Sequence, residues 1–380
     1  MPPPPPPPRA PTALIIGASG FLGSAIANAF QRTEPQPFRS YGLIRRPSAA
    51  ASLAAAEITP ILGGALSDRS ALLASIQSQS DTVLWDVIVV SISSSRGGGA
   101  EVEAQHWDDV LALVQGLSKT SAAGGVRPLV LWSSGCKDYG FTALDGDPDL
   151  APHTETSPLV RHPLIKGRLE AALRVLDVAK ADGSDFDAIV VRATSVYGYS
   201  SSYYGAILTY AQAYADAEGA GGREALRFTV DKRTVLHALH VDDCAEGYVS
   251  LATAAVFGGA EKRAEVVGEV FNISARRYET LEEVGTALAR EYGFQTAEFG
   301  VQDGEVPSVV AGMGYKFLLA WSQWVGSDKI RRVTGWRDRR PLFSENLHVY
   351  RAAYEAAAEA GVESVGKIRE RIGGTRGMDS

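Results

Sequence analysis

Three glycines, Gly17, Gly20 and Gly23, follow the apolar run Ala13–Ile16 and open an amphipathic stretch that starts at Phe21. That order suits the cradling of a pyrophosphate. Gly17 permits a tight turn, Gly20 lets a phosphate approach the backbone, and Gly23 lets the helix pack on the strand. The helix start then offers unpaired N–H groups and a partial positive charge. The alternative is a plain strand-to-helix turn. After the next apolar run the chain reads Gly42-Leu-Ile-Arg45-Arg46-Pro47, with no acid to hold an adenosine ribose. Two guanidinium groups there suit a 2′-phosphate, so NADP is expected ahead of NAD. The alternative for Arg45 and Arg46 is a solvated basic pair before a proline turn.

Other clusters carry less chemistry. His237 and His240 have the spacing of a metal pair, but no cysteine or carboxylate set completes a site, so no metal is expected. Asp242 and Asp243 are expected to cap a helix over Cys244–Ala255. The tyrosines at 197, 199, 203, 204, 210 and 214 form either the core of a lobe or a substrate platform. Gly97–Gly99 reads as a loop over the cofactor.

The elements that must position these residues alternate. Ala13–Ile16, Tyr41–Ile44, Thr59–Leu62, Val87–Ile92, Leu129–Trp132 and Ala188–Val191 read as buried strands. Phe21–Gln31, Ser70–Ser78, His106–Leu117 and Leu164–Ala179 carry helical spacing. This is an α/β pattern with a parallel sheet. Residues 1–11 read as a disordered proline-rich tail, 12–199 as the nucleotide domain and 200–372 as a smaller C-terminal substrate lobe. One strand of that last stretch, near 270–274, returns to the sheet, and a helix is expected near Glu345–Ala360. Residues 373–380 read as a loose tail. Gly219–Gly222 is expected to be a loop.

Composition narrows the class. With 380 residues, 45% apolar and 21% charged, the chain is ordinary globular sequence, which excludes wholesale disorder and collagen-like repeats. A net charge of −7 offers no general attraction for nucleic acid or anionic lipid. Two cysteines, Cys136 and Cys244, exclude a disulfide framework and fit a reducing, cytoplasmic compartment. The apolar stretch around Val83–Ile92 is too short to span a bilayer, and Pro2–Pro8 provides no apolar signal segment. A small-molecule substrate is expected, with no nucleic-acid or membrane partner; a homodimer is compatible with the sequence.

Further segments follow in order: Leu131-Trp-Ser133-Ser134-Gly, Lys166 with Glu170 one turn on, and Val191-Arg192-Ala-Thr-Ser-Val-Tyr197-Gly198. His240-Val-Asp242-Asp243-Cys-Ala and Phe271-Asn272-Ile-Ser complete the set. Together with the glycine spacing they resemble the extended short-chain dehydrogenase/reductase family, which includes nucleotide-sugar epimerases and dehydratases. The resemblance implies a doubly wound Rossmann sheet of about seven strands with a smaller C-terminal substrate-binding lobe. It also implies that Ser134 binds the substrate oxygen and Lys166 the nicotinamide ribose. Cofactor contacts are implied at Gly17, Ser19, Gly20, Phe21, Leu22, Gly23, Arg45, Arg46, Leu66, Ser91, Thr194 and Val196.

One departure limits what can be carried over. The family places a tyrosine four residues before its lysine, whereas this chain reads His162-Pro163-Leu164-Ile165-Lys166. Imidazole also transfers protons, with an ordinary pKa near about 6.5, and a neighbouring ammonium favours its neutral form. Pro163 suits a first helical turn and pushes His162 out of helical angles, so His162 is expected at the helix cap. It is then either the acid/base or a capping bystander. Gly135-Cys136-Lys137-Asp138-Tyr139-Gly140 is similar to a loop of the plant progesterone-5β-reductase and iridoid-synthase branch, where the lysine belongs to the active site. Lys137 and Tyr139 are therefore further candidates for proton transfer. The alternative is an exposed Lys137–Asp138 pair with Tyr139 packed beneath it.

Three functions remain open from sequence. The first is an NADP-dependent oxidoreductase acting on a carbonyl or alcohol of a small organic molecule. The second is a sugar-nucleotide epimerase or dehydratase. The third is a redox-silent relative that senses nucleotide or catalyses a lyase, isomerase or cyclase step.

Overall fold

The computed structural model describes residues 9–93, 99–219, 221, 223–311 and 315–374. Its centre is a seven-stranded sheet of Thr12–Ile16 (β1), Arg39–Ile44 (β2), Thr59–Leu62 (β3), Val87–Val90 (β4), Leu129–Gly135 (β5), Asp187–Ala193 (β6) and Val270–Ile273 (β7). The strand order is β7-β6-β5-β4-β1-β2-β3, so the chain reverses direction across the sheet beside β1. The pairs β1–β2, β1–β4, β2–β3 and β4–β5 run parallel. Every residue of β1 and β4 is buried, as continuous apolar strands covered on both faces must be.

Helices Phe21–Phe30 (α1), Arg69–Gln79 (α2), Gly99–Ala123 (α3) and Lys166–Lys180 (α4) connect the strands, and Val241–Phe257 (α5) precedes β7. Trp107, Val110 and Val114 of α3 pack with Ala172 and Val175 of α4 against Ile88, Val130 and Trp132 of the sheet. The expected strands and helices are therefore present, with shifted ends. β5 runs on to Gly135, and α3 begins at Gly99, seven residues before the expected start.

The chain forms two compact units, each assembled from several segments. Residues up to Ser134, with Ile165–Val191 and Ala245–Val270, make the first; Gly135–Leu164, Arg192–Cys244 and the chain from Phe271 onward make the second. The division is interleaved along the chain, with Gly135–Leu164 in the second unit and Ala245–Val270 in the first.

Several local expectations are corrected. Residues 9–11 are tied down: Arg9 pairs with Asp86 at 2.8 Å, and the Pro11 carbonyl accepts the Arg39 amide. Residues 1–8 lie outside the described residues, as do 97–98 of the expected loop and residues 220 and 222 of the glycine-rich turn. Gly373 is helical, because the helix Glu363–Gly374 continues through it; residues 375–380 lie outside the described part. Asp242 and Asp243 sit inside the first turn of α5, where Asp243 takes the Arg340 amide and guanidinium at 3.0 and 2.7 Å. The tyrosine-rich stretch is mostly core, with Tyr197, Tyr204, Tyr210 and Tyr214 buried, while Tyr199 is exposed.

His237 is a buried staple of the second unit. Its Nε2 faces the Ala275 carbonyl at 3.1 Å and its Nδ1 accepts the Val325 amide at 3.1 Å. Only the neutral ring with the proton on Nε2 satisfies both, and burial pushes its pKa down to about 4. Between pH 6.5 and 4 the folded chain therefore binds fewer protons here than the unfolded chain. The contribution is complete above the unfolded pKa and is lost as pH falls, by on the order of 3 kcal/mol. Urea denaturation from pH 7.5 to 4 should show that loss, and His237→Gln should flatten it.

Candidate functional site

The glycine turn is built as a close contact of three backbone segments. Gly17 has φ +94°, a left-handed conformation, and a Cβ there would stand 2.4 Å from the Ser91 carbonyl oxygen at the end of β4. Its amide bonds the Leu43 carbonyl at 3.2 Å, and its own carbonyl takes the Gly20 amide at 2.9 Å. A Cβ on Gly23 would stand 2.2 Å from the Gly17 oxygen, so α1 lies directly on the turn. Gly20 differs: it is exposed, and a Cβ would meet only the Gly17 oxygen, at 3.1 Å. No side chain caps α1 and no acid occupies its first turn. Its leading N–H groups and positive dipole end are thus left for an anion.

The other expected cofactor positions lie as follows. Ser19, Phe21 and Leu22 are half-buried around the turn. β2 ends at Ile44, with Arg45 exposed and Arg46 half-buried beyond it. Leu66 packs against the core beside β3, and the Ser91 amide bonds the Ile16 carbonyl at 2.9 Å. Thr194 is buried and donates its amide to Ile273 at 3.0 Å. Val196 lies in the short strand Ser195–Tyr197, paired with Leu239 of Ala238–His240. His106 of α3 went unnoticed in the sequence. Burial, and then the charge of Arg45, lower its pKa.

Ser133 and Ser134 end β5, both half-buried, and Tyr248 donates its hydroxyl to Ser133 at 2.8 Å. Lys166 is the first residue of α4, exposed, with Nζ 3.9 Å from Glu170. The cap is Ile165, not His162. Pro163 disfavours helix at the residue before it, and Pro163–Ile165 form a turn ahead of α4. Position 162 therefore does not share a helix face with Lys166. The His162 Nδ1 instead accepts the Leu164 amide at 3.3 Å. Gly167, beside Lys166, faces the Glu103 side chain of α3, whose carboxyl carbon would lie 2.5 Å from a Cβ there.

The loop after β5 is a short 3-10 turn, Cys136–Tyr139. Asp138 is wholly buried, its Oδ2 3.4 Å from the Nε of buried Arg192, so the alternative of an exposed Lys137–Asp138 pair does not hold. Tyr139 donates its hydroxyl to Asn272 at 2.8 Å and accepts from Arg192 at 3.0 Å, and burial raises its pKa. That hydroxyl is fully engaged. Lys137 points elsewhere, its Nζ 4.1 Å from the Trp321 ring centroid, and the His162 ring lies 5.1 Å from the same ring. The structure thus places Lys137 and His162 each against the Trp321 ring and Tyr139 in a buried network. Trp321 falls in the stretch 200–372 expected to form the C-terminal lobe, and no spacing rule could have picked it out.

Among the described residues no cluster of three His, Cys, Asp or Glu could hold a metal, and no helix is long and apolar enough to cross a membrane.

A glycine turn on the first strand of a doubly wound sheet defines a Rossmann-type α/β protein. Residues 13–274 match the model of the NAD dependent epimerase/dehydratase family, and the chain belongs to that family. The fold is similar to that of a dTDP-glucose 4,6-dehydratase from Bacillus anthracis in complex with NAD, with TM-score 0.65 and 19% identity over 92% of this chain and 98% of that one. It is similar to a UDP-glucose-4-epimerase from Stenotrophomonas maltophila with bound NAD and formylated UDP-arabinopyranose (TM-score 0.63, 17% identity, 92% and 99% covered). A UDP-Glc/GlcNAc 4-epimerase from Campylobacter jejuni is a further likeness, at TM-score 0.62 and 20% identity over 92% and 100%. None of the curated proteins matches this sequence.

The turn generates a paired expectation. Gly20→Val should fold, by circular dichroism, yet lose at least about 100-fold in nucleotide affinity by calorimetry, since only the phosphate approach is blocked. Gly23→Val should fail at the earlier step and unfold at lower temperature, because its side chain enters the Gly17 backbone.

Proposed function

We propose that this family member is an NADP-dependent oxidoreductase acting on a carbonyl or alcohol of a small organic molecule. The observation that carries the reading is the end of β2, where exposed Arg45 and half-buried Arg46 follow Ile44 and no carboxylate is present from Arg39 to Ala56. A carboxylate there would repel a 2′-phosphate, whereas guanidinium groups bond it in pairs. The Gly17–Gly23 turn and the uncapped start of α1 suit the pyrophosphate, and Lys166 would hold the nicotinamide ribose. The nicotinamide, when bound, exchanges hydride; the protein supplies position and a proton path.

In this reading Ser134 binds the substrate oxygen, and Lys137 or His162 moves the proton. Tyr139 is a positioning residue, because both of its hydroxyl partners are internal. A second reading, a sugar-nucleotide epimerase or dehydratase, is supported by the likeness to a dTDP-glucose 4,6-dehydratase and a UDP-glucose-4-epimerase. It asks for a strong acid/base beside Lys166, and the turn at Pro163 removes position 162 from that helix face.

Titration calorimetry should give NADPH an advantage of at least about tenfold over NADH, or about 1.4 kcal/mol. The Arg45→Ser/Arg46→Ser double variant should erase it, and equal affinities in the native protein would refute the NADP assignment. With a panel of carbonyl compounds, His162→Phe or Lys137→Met should lower turnover by about 10²–10⁴ while nucleotide affinity holds. Tight NADPH binding without turnover on any carbonyl or sugar nucleotide would instead favour the redox-silent alternative.

A further inference from the structure

Three side chains from the segment 137–162 converge on one indole. The Lys137 ammonium lies 4.1 Å from the Trp321 ring centroid, the Phe141 ring stacks on it at 4.2 Å and 22°, and the His162 ring meets it edge-on at 5.1 Å and 73°. The indole is itself fixed. It is buried, and its N–H donates to the Gly140 carbonyl at 3.3 Å. Gln323, two residues on, donates to the Cys136 and Gly140 carbonyls at 2.8 and 2.6 Å. The Thr142 amide bonds the Ser322 carbonyl at 2.9 Å, and the Thr142 hydroxyl takes the Trp324 amide at 3.1 Å. This is more anchoring than a buried tryptophan needs for packing alone.

We infer that Trp321 is the positioning residue of the proposed proton-transfer site, holding Lys137 and His162 against one indole. The inference rests on the reading of the chain as an oxidoreductase whose proton moves through one of those two groups. A lysine side chain loses much rotamer freedom when fixed, and an indole face is the strongest aromatic partner for its ammonium. A free His162 would sample many orientations after the Pro163 turn, and the indole edge restricts them. Trp321 does not itself exchange a proton, since indole N–H is a donor only and is committed to Gly140.

Two readouts test this. Trp321→Leu should lower turnover about 10- to 100-fold at nearly unchanged KM for NADPH, as expected when reacting groups are misplaced rather than cofactor binding lost. Trp321→Phe, which keeps an aromatic face and guards against simple misfolding, should recover most of the rate. Adding Lys137→Met or His162→Phe to Trp321→Leu should cost far less than the two separate losses combined. Full activity in Trp321→Leu, no recovery in a folded Trp321→Phe, or fully additive losses would overturn the inference. The second readout is independent of activity. The ring current of the indole displaces the Cε1 proton resonance of His162, assigned by its disappearance in His162→Phe. Trp321→Leu should return that resonance to the ordinary imidazole position. If the native protein reduces no carbonyl, the proposed function fails by itself, and the resonance decides the positioning: a moved signal upholds it and an unmoved one overturns it.

Discussion

The Arg192 guanidinium is almost completely buried and cannot shed its proton, so its surroundings must pay for its charge. Asp138 lies against its Nε side, and the Tyr139 hydroxyl takes one of its amino groups. The Tyr139 hydroxyl then reaches Asn272, whose amide bonds Glu155. The Arg192 carbonyl also accepts the Cys136 thiol at 3.2 Å. One cation thereby ties the turn 136–139 to the end of β6 and the start of β7. Removing one partner of such a pair strands the other, at roughly 3–5 kcal/mol. With Cys136 and Asp138 buried on either side of it, Lys137 lies instead against Trp321.

In the first unit the governing constraint is steric rather than electrostatic. The carbonyl oxygens of Ser91 and Gly17 occupy the spaces where side chains on Gly17 and Gly23 would lie. The backbone of α1 can then start close to the ends of β1 and β4. Gly20 is less confined, since a Cβ there would stand 3.1 Å from the Gly17 oxygen rather than 2.2 Å as at Gly23. Local packing requires Gly17 and Gly23, whereas the proposed nucleotide site supplies the reason for a bare Gly20.

The break before α4 bears on chemistry. Pro163 disfavours helix at His162, and α4 begins only at Lys166, so position 162 does not lie one helical turn before that lysine. His162 is consequently oriented by the Leu164 amide and by an indole from far along the chain. The proposed proton path is thus assembled from tertiary neighbours, where the wider family uses the spacing of a single helix.

The sequence by itself determined the alternating strands and helices, the glycine turn and the family, because each depends on short-range period or on backbone geometry. Ala13–Ile16 must be a buried strand, and Gly17 must be a residue that tolerates positive φ. The two arginines after β2 were equally legible, since a strand end places them. Other features came only from the tertiary structure. Asp138 reads as an exposed loop acid until Arg192, from the end of another strand, is folded against it. His162 reads as a helix cap until the turn at Pro163–Ile165 displaces it. Trp321 has no periodic signature, and it acquires meaning only when the chain brings its indole to Lys137 and His162. Local sequence records periodicity and allowed dihedral angles; which distant charge or ring will satisfy a buried group is decided when the chain closes on itself.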